Sequence, residues 1–283
     1  MADFGSRLAN TFATRGQLSV GIDPHSFLLS EWGLPHTADG AREFGLRVVD
    51  AVAATSGIVK PQIAFFERFG SAGYAALESV LRAAREAGLL VIADAKRGDV
   101  GSTVAAYGEA WLSPGSPLEV DAMTVVAYQG VGSLKEPIEL AVAHGKGMFI
   151  VAAASNPEAV DTQSAVRTTG RWEGRSVGAS IVGEVQELNS RIGQGLGPVG
   201  VVIGATTNTR DYGIIADDLT RTPILAPGFG EQGALVSDAK ELYGESAPNV
   251  IAHVGRGVLR AGRNGLAQAI ADQAAELKAA LDR

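Results

Sequence analysis

Eight times along this 283-residue chain a short apolar run gives way to a segment with helical periodicity, and no other feature restricts the fold as much. The runs are Leu18–Ile22, Ile58–Phe66, Leu89–Ala93, Ala122–Val126, Met148–Ala153, Val199–Gly204, Pro223–Ala226 and Val250–Val254. Between them lie helical stripes such as Phe44/Val48/Val52, Tyr74/Leu77/Leu81/Ala84, Ile181/Val185/Leu188/Ile192 and Leu266/Ile270/Leu277/Leu281. Ser71 is expected to cap one helix, and Ser133 with Glu136 has capping-box spacing for another. Parallel strands need crossover helices, and those crossovers are right-handed, so strict alternation predicts a closed α/β architecture. The expectation is a single (β/α)8 TIM barrel domain over residues 1–283, with an extra helix at residues 3–15 and a long polar loop, 158–177, after strand five. A doubly wound open sheet is the alternative. Its nucleotide-binding form needs a Gly-x-Gly-x-x-Gly turn, and the first turn here is Gly21-Ile22-Asp23-Pro24.

A net charge of −7 argues against a broad nucleic-acid surface, although it leaves room for a local cationic pocket. The absence of cysteine excludes disulfides, thiolate metal sites and thiol nucleophiles, and agrees with a reducing cytoplasm. No apolar run approaches the ~18 residues of a membrane span, and Asp3, Arg7 and Arg15 interrupt the first segment, so neither a signal peptide nor a membrane helix is expected. The four histidines, His25, His36, His144 and His253, show no His-x-x-x-His pair. No metal site is expected of them, only packing or surface roles.

In a barrel all strand carboxyl ends open on one face, where Asp23, Lys60, Asp94, Lys96, Asp99, Ser155 and Arg256 would gather. Asp94 and Lys96 are two residues apart, which puts both side chains on one face of the strand, whereas Asp99 falls in the loop beyond. These charges admit two readings, a structural ion-pair network or a reactive site. Desolvation offsets most of the Coulomb gain of a buried pair, which favours the second. After strands seven and eight, Gly228 and Gly230 allow close backbone approach to an anion, with Gln232, Arg256 and a helix N-terminus to hold it. Tight turns alone would explain the glycines but not Gln232 and Arg256. Ser155 and Asn156 can hydrogen-bond a planar polar ligand or simply form a turn, and Arg167, Arg171 and Arg175 are either an anion-closing lid or ordinary loop charge.

Taken together, Val20-Gly21-Ile22-Asp23-Pro24, Lys60-Pro61-Gln62, Phe65-Phe66-Glu67, Asp94-Ala95-Lys96-Arg97-Gly98-Asp99, Ala226-Pro227-Gly228-Phe229-Gly230 and Gly255-Arg256 resemble the orotidine 5′-phosphate decarboxylase family, in its longer bacterial, actinobacterial-type branch. The Asp-x-Lys-x-x-Asp element is shared with magnesium-dependent sugar-phosphate decarboxylases. In those a glutamate is expected at the end of strand two, where this chain has Lys60. The resemblance implies decarboxylation of orotidine 5′-phosphate to UMP, with no metal and no organic cofactor, in a cytoplasmic homodimer with shared active sites. It implies that Lys60, Asp94, Lys96 and Asp99 form the catalytic network, Asp99 reaching into the neighbouring subunit. Asp23 and Lys60 would contact the ribose, Thr103 the ribose or phosphate region from the partner, Ser155 the pyrimidine edge, and Gln232 and Arg256 the phosphate, beside Gly228 and Gly230. A barrel that binds a phosphorylated metabolite without turning it over is the alternative from another class.

Overall fold

Runs of β-branched and aliphatic residues that carry no alternation are strands buried on both faces, and here they close on themselves. The computed structural model describes residues 2–282. Its strands are β1 (Leu18–Ile22), β2 (Ile58–Pro61), β3 (Leu90–Arg97), β4 (Ala122–Val125), β5 (Gly147–Ala153), β6 (Val199–Ile203), β7 (Ile224–Phe229) and β8 (Val250–Val254). They pair in parallel in sequence order, and β8 closes on β1. This is the expected (β/α)8 barrel rather than an open sheet.

Inside the barrel Ile58, Leu90, Ile92, Ala122, Phe149, Val202, Leu225 and Ile251 form one apolar layer. A second, larger core lies between the strands and the outer helices, exemplified by Val20, Val48, Val59, Leu77, Val91, Val182 and Ile270. The helix Phe4–Arg15 closes the floor, inserting Phe4 and Leu8 into the interior layer with Phe4 edge-on to Phe149. Burying two such side chains stabilises the closed floor by about 1.5–3 kcal/mol each. Arg7 ties the helix down through Asp121, 2.6 Å away, while the other Asp121 oxygen accepts the Val91 N–H at 2.9 Å.

Several local expectations are corrected. The run Ile58–Phe66 is strand only to Pro61, and Ala64–Glu67 is a helical turn. Ser71 caps nothing: the helix Gly70–Glu86 begins one residue earlier, at a glycine with φ +60. Ser133 lies in a 3-10 turn, Val131–Leu134, and bonds back to the Gly130 carbonyl, so the helix Lys135–Ala143 starts without the capping box. No helix among the described residues is long and apolar enough to cross a membrane.

Candidate active site

The pleat decides what faces the mouth. Ile58, Ile92, Ala122 and Ile251 point inward, so Lys60, Asp94, Thr124 and His253, two residues further along each strand, form the next layer up. Lys60 and Asp94 are 3% and 7% exposed, which means that neither charge is hydrated enough to stand alone. Lys60 Nζ donates to Asp94 Oδ2 at 2.6 Å, Lys96 Nζ donates to Oδ1, and Thr124 Oγ1 donates to Oδ1 at 3.0 Å. Asp23 stands on the neighbouring strand end with a buried Oδ1 that has no partner.

Burial alone would raise the Asp94 pKa, but Lys60 and Lys96 outweigh it and hold the carboxyl well below the usual range. Burial also works against the Lys60 ammonium, and Asp94 and Asp23 overcome it, so that this pKa lies above its ordinary value. For Asp23 burial prevails over the attraction of Lys60 and the pKa is raised.

Lys96 is the only non-glycine residue with positive φ among those described, at +45. The β3–β4 register shifts between Ala93 and Arg97, so an irregularity re-aims this residue, and its N–H bonds to Thr124 Oγ1 at 3.0 Å. A left-handed lysine costs on the order of 1–2 kcal/mol, which the surrounding contacts must offset. The side chains of Asp94 and Lys96 do meet, as their spacing predicts, although the path between them is not a regular strand.

The opposite wall is built on glycine. Gly228, Gly230 and Gly233 have φ of +117, +82 and +106, and the Gly233 N–H closes a turn on the Gly230 carbonyl at 2.8 Å. A side chain on Gly21 or Gly255 would press on Asp23 Oδ2, at 2.9 and 3.0 Å. Arg256 opens a helix, but Arg256–Leu259 is a single turn whose Val258 and Leu259 N–H groups bond to the Gly255 carbonyl, so little of the helix-dipole contribution expected there is present. Glu231 is paired with Arg260 at 2.5 Å.

The two walls enclose a cavity of about 490 Å³ lined by Asp23, Lys60, Asp94, Lys96, Ser155, Gly228, Gln232 and Arg256. Three expected site residues lie elsewhere. Gly230 shapes the turn behind the wall, Asp99 accepts the Val100 N–H at 2.8 Å, and Thr103 is exposed in the first turn of the helix Gly101–Leu112. Residues given no site role from the sequence also line the cavity: His25, Gln62, Phe65, Thr124, Phe229 and His253. The surface or packing roles expected of the histidines agree with His36, bonded to Ser30, and with His144 at a helix end, whereas His25 and His253 also line the cavity. His25 packs on Phe65 with ring centroids 4.2 Å apart.

His253 is 7% exposed, with Nδ1 3.3 Å from Ser19 Oγ, and burial, aided by Lys60, presses its pKa well below the usual value. The unfolded chain therefore takes up a proton near pH ~6.5 that the folded one refuses, and the stabilisation present above that pH is lost as pH falls. Denaturant melts between about pH 7 and 5 should show this loss, with a slope of at most ~1.4 kcal/mol per pH unit from this residue. His253→Gln should flatten it.

The long loop is pinned outside. Its helix Ala159–Gln163 anchors through Gln163 Oε1, which accepts the Ala154 N–H at 2.8 Å. Arg167, Arg171 and Arg175 pair with Glu184, Glu187 and Asp218, and none of them lines the cavity; the largely exposed Arg171 fits ordinary loop charge.

The closed barrel, with lysines and aspartates alternating at its mouth, places the chain among the (β/α)8 barrels whose reactive groups sit at the strand carboxyl ends. A family model described as orotidine 5′-phosphate decarboxylase / HUMPS family matches residues 16–272, and the chain belongs to that family. It is 47% identical over 283 residues to an orotidine 5′-phosphate decarboxylase from Salinispora arenicola, covering all of this chain and 96% of the relative. One from Streptomyces coelicolor is 47% identical over 265 residues, 93% of this chain and 91% of the relative. A Streptomyces avermitilis crystal structure assigned to the same enzyme superposes with a TM-score of 0.94 at 44% identity, covering 100% of this chain and 97% of that one.

Proposed function

We propose that this protein decarboxylates orotidine 5′-phosphate to UMP. The observation that carries the reading is the contact of Lys60 and Lys96 with the two oxygens of Asp94 inside the cavity. Loss of CO2 from C6 of the orotate ring leaves a carbanion that no adjacent group delocalises. What the reaction lacks in water is a cation fixed beside that carbon, and Lys96, half-exposed into the cavity and held by Asp94, is such a cation. Lys96 stabilises the developing charge and then protonates C6, while Asp94 orders the two lysines. The Lys60 ammonium occupies Asp94 Oδ2, and its charge opposes a divalent cation at the same spot.

At the far wall Gln232, Arg256 and the glycine turn take the phosphate, Asp23 and Lys60 the ribose, and Ser155 the pyrimidine edge. Binding energy from the phosphate then serves a reaction several bonds away. Asp99 and Thr103 act in the pocket of a second subunit; their position outside their own cavity supports this reading, and with it a homodimer with shared sites. The lack of cysteine supports a cytoplasmic setting.

The test follows conversion of orotidine 5′-phosphate to UMP by ultraviolet absorbance. Binding without CO2 release would reject the reading, and sensitivity to a chelator would point to metal chemistry instead. Arg256→Ala should raise KM for orotidine 5′-phosphate by roughly tenfold to a hundredfold, as loss of a charge-assisted contact of about 1.5–3 kcal/mol would. Orotidine without its phosphate should be affected far less, and an equal effect on both would remove Arg256 from the phosphate.

A further inference from the structure

Thr124 is a polar residue in the four-residue buried strand Ala122–Val125, and it is 1% exposed. Its hydroxyl has one proton and can accept as well as donate. Both capacities are used on neighbouring reactive groups: Oγ1 accepts the Lys96 N–H at 3.0 Å and donates to Asp94 Oδ1 at 3.0 Å. The Lys96 ammonium donates to that same carboxylate oxygen. Backbone and side chain of Lys96 are thus joined in a closed ring through one hydroxyl and one carboxylate oxygen.

The ring sits where the backbone is least regular. Lys96 has φ +45, and the register between β3 and β4 shifts across Ala93 to Arg97. At such an irregularity a strand N–H loses its ladder partner and must find another. Thr124 supplies it from the adjacent strand, and the lysine stays in a conformation that an L-residue otherwise avoids.

The geometry points to Thr124 as a positioning residue: its hydroxyl fixes the left-handed backbone of Lys96 and the rotamer of Asp94 together, and so sets where the Lys96 ammonium stands in the cavity. This inference rests on the decarboxylase reading. A residue in this role acts through Lys96 and affects turnover more than substrate binding.

Thr124→Val keeps the shape and removes both hydrogen bonds, whereas Thr124→Ser keeps the hydroxyl. Thr124→Val should lower kcat about ten- to a hundredfold, the effect of two ordinary hydrogen bonds, with KM changed less than threefold. Thr124→Ser should recover kcat to within a few-fold of the parent. Equal kcat for Thr124→Val and the parent overturns the proposal, as does a Thr124→Ser variant as slow as Thr124→Val. Should Thr124→Val not fold, amide hydrogen exchange in the unaltered protein decides: the Lys96 N–H should be protected to the level of the strand, and exchange at the rate of an exposed loop overturns the proposal. The exchange measurement does not depend on the reaction. If the unaltered protein releases no CO2 from orotidine 5′-phosphate, the decarboxylase reading fails while the Thr124 geometry is still tested.

Discussion

Lys96→Ala should reduce turnover of orotidine 5′-phosphate by about 10⁴-fold or more, the combined scale of a lost general acid and a lost electrostatic stabiliser in a dry site. The protein should remain folded, for two reasons visible in the structure. Alanine has a Cβ as lysine does, so the left-handed backbone at φ +45 is no more strained than before. Asp94 also keeps Lys60 at 2.6 Å and Thr124 at 3.0 Å, so the carboxylate is not orphaned. Unchanged turnover would remove Lys96 from the mechanism. The same variant tests the shared site. Asp99→Ala should also be inactive, but mixed subunits of the two variants should regain roughly a quarter of parental activity, because half the dimers would carry one site free of both lesions. No recovery in verified mixed dimers would return Asp99 to its own subunit or to a structural role.

Asp94→Asn should be the more damaging change for the fold. It leaves the Lys60 ammonium, 3% exposed, facing Lys96 with no carboxylate between them. Removing one partner of a buried ion pair costs about 3–5 kcal/mol, and turnover should fall by at least ~10³-fold as the lysines lose their placement. The pH dependence gives a sharper signature. In the parent the Asp94 pKa is depressed, so its stabilisation is complete above the unfolded value near ~3.9 and is lost only as pH falls through the lower folded value. The Lys60 pKa is raised, so its contribution is complete below ~10.4 and is lost as pH rises through the folded value. Without Asp94, burial dominates at Lys60 and its folded pKa drops. The unfolded chain then binds the extra proton, and stability should rise with pH in the alkaline range, where the parent's Lys60 contribution stays constant up to ~10.4. Urea melts at about pH 7 and 9.5 read this directly.

Much of this was legible in the residues because the strands are buried on both faces and need no tertiary information to be recognised. Val199–Ile203 is a continuous apolar run and Val250–Val254 is broken only by His253, and strict alternation left few topologies open. Caps were less legible. Ser71 and Ser133 carry capping chemistry, but a left-handed glycine at position 70 and the 3-10 turn at Val131–Leu134 start those helices instead. In the cavity the charged residues announced themselves, whereas Thr124 and His253 did not. A hydroxyl or imidazole in an apolar strand acquires meaning only once the inward face is known, and counting two residues on from Ala122 and Ile251 would have supplied it. The pairings of the three loop arginines were hidden for the reverse reason: their partners Glu184, Glu187 and Asp218 lie 17, 16 and 43 residues away, beyond what local spacing reports.

The helix Phe4–Arg15 does more than shut the barrel. Its last turn lies beside the end of the helix Gly262–Leu281, where Phe12 and Arg15 share a groove with Leu277 and Leu281. Asp282 lies in that groove and Ala2 beside Gly145, just before β5, so both are on the floor side, with Phe4, Leu8 and the interior layer between them and the mouth. A tether, reporter or solid support attached beside Ala2 or Asp282 would hang from the underside like a keel, leaving the reactive rim turned outward and the approach of small solutes unobstructed.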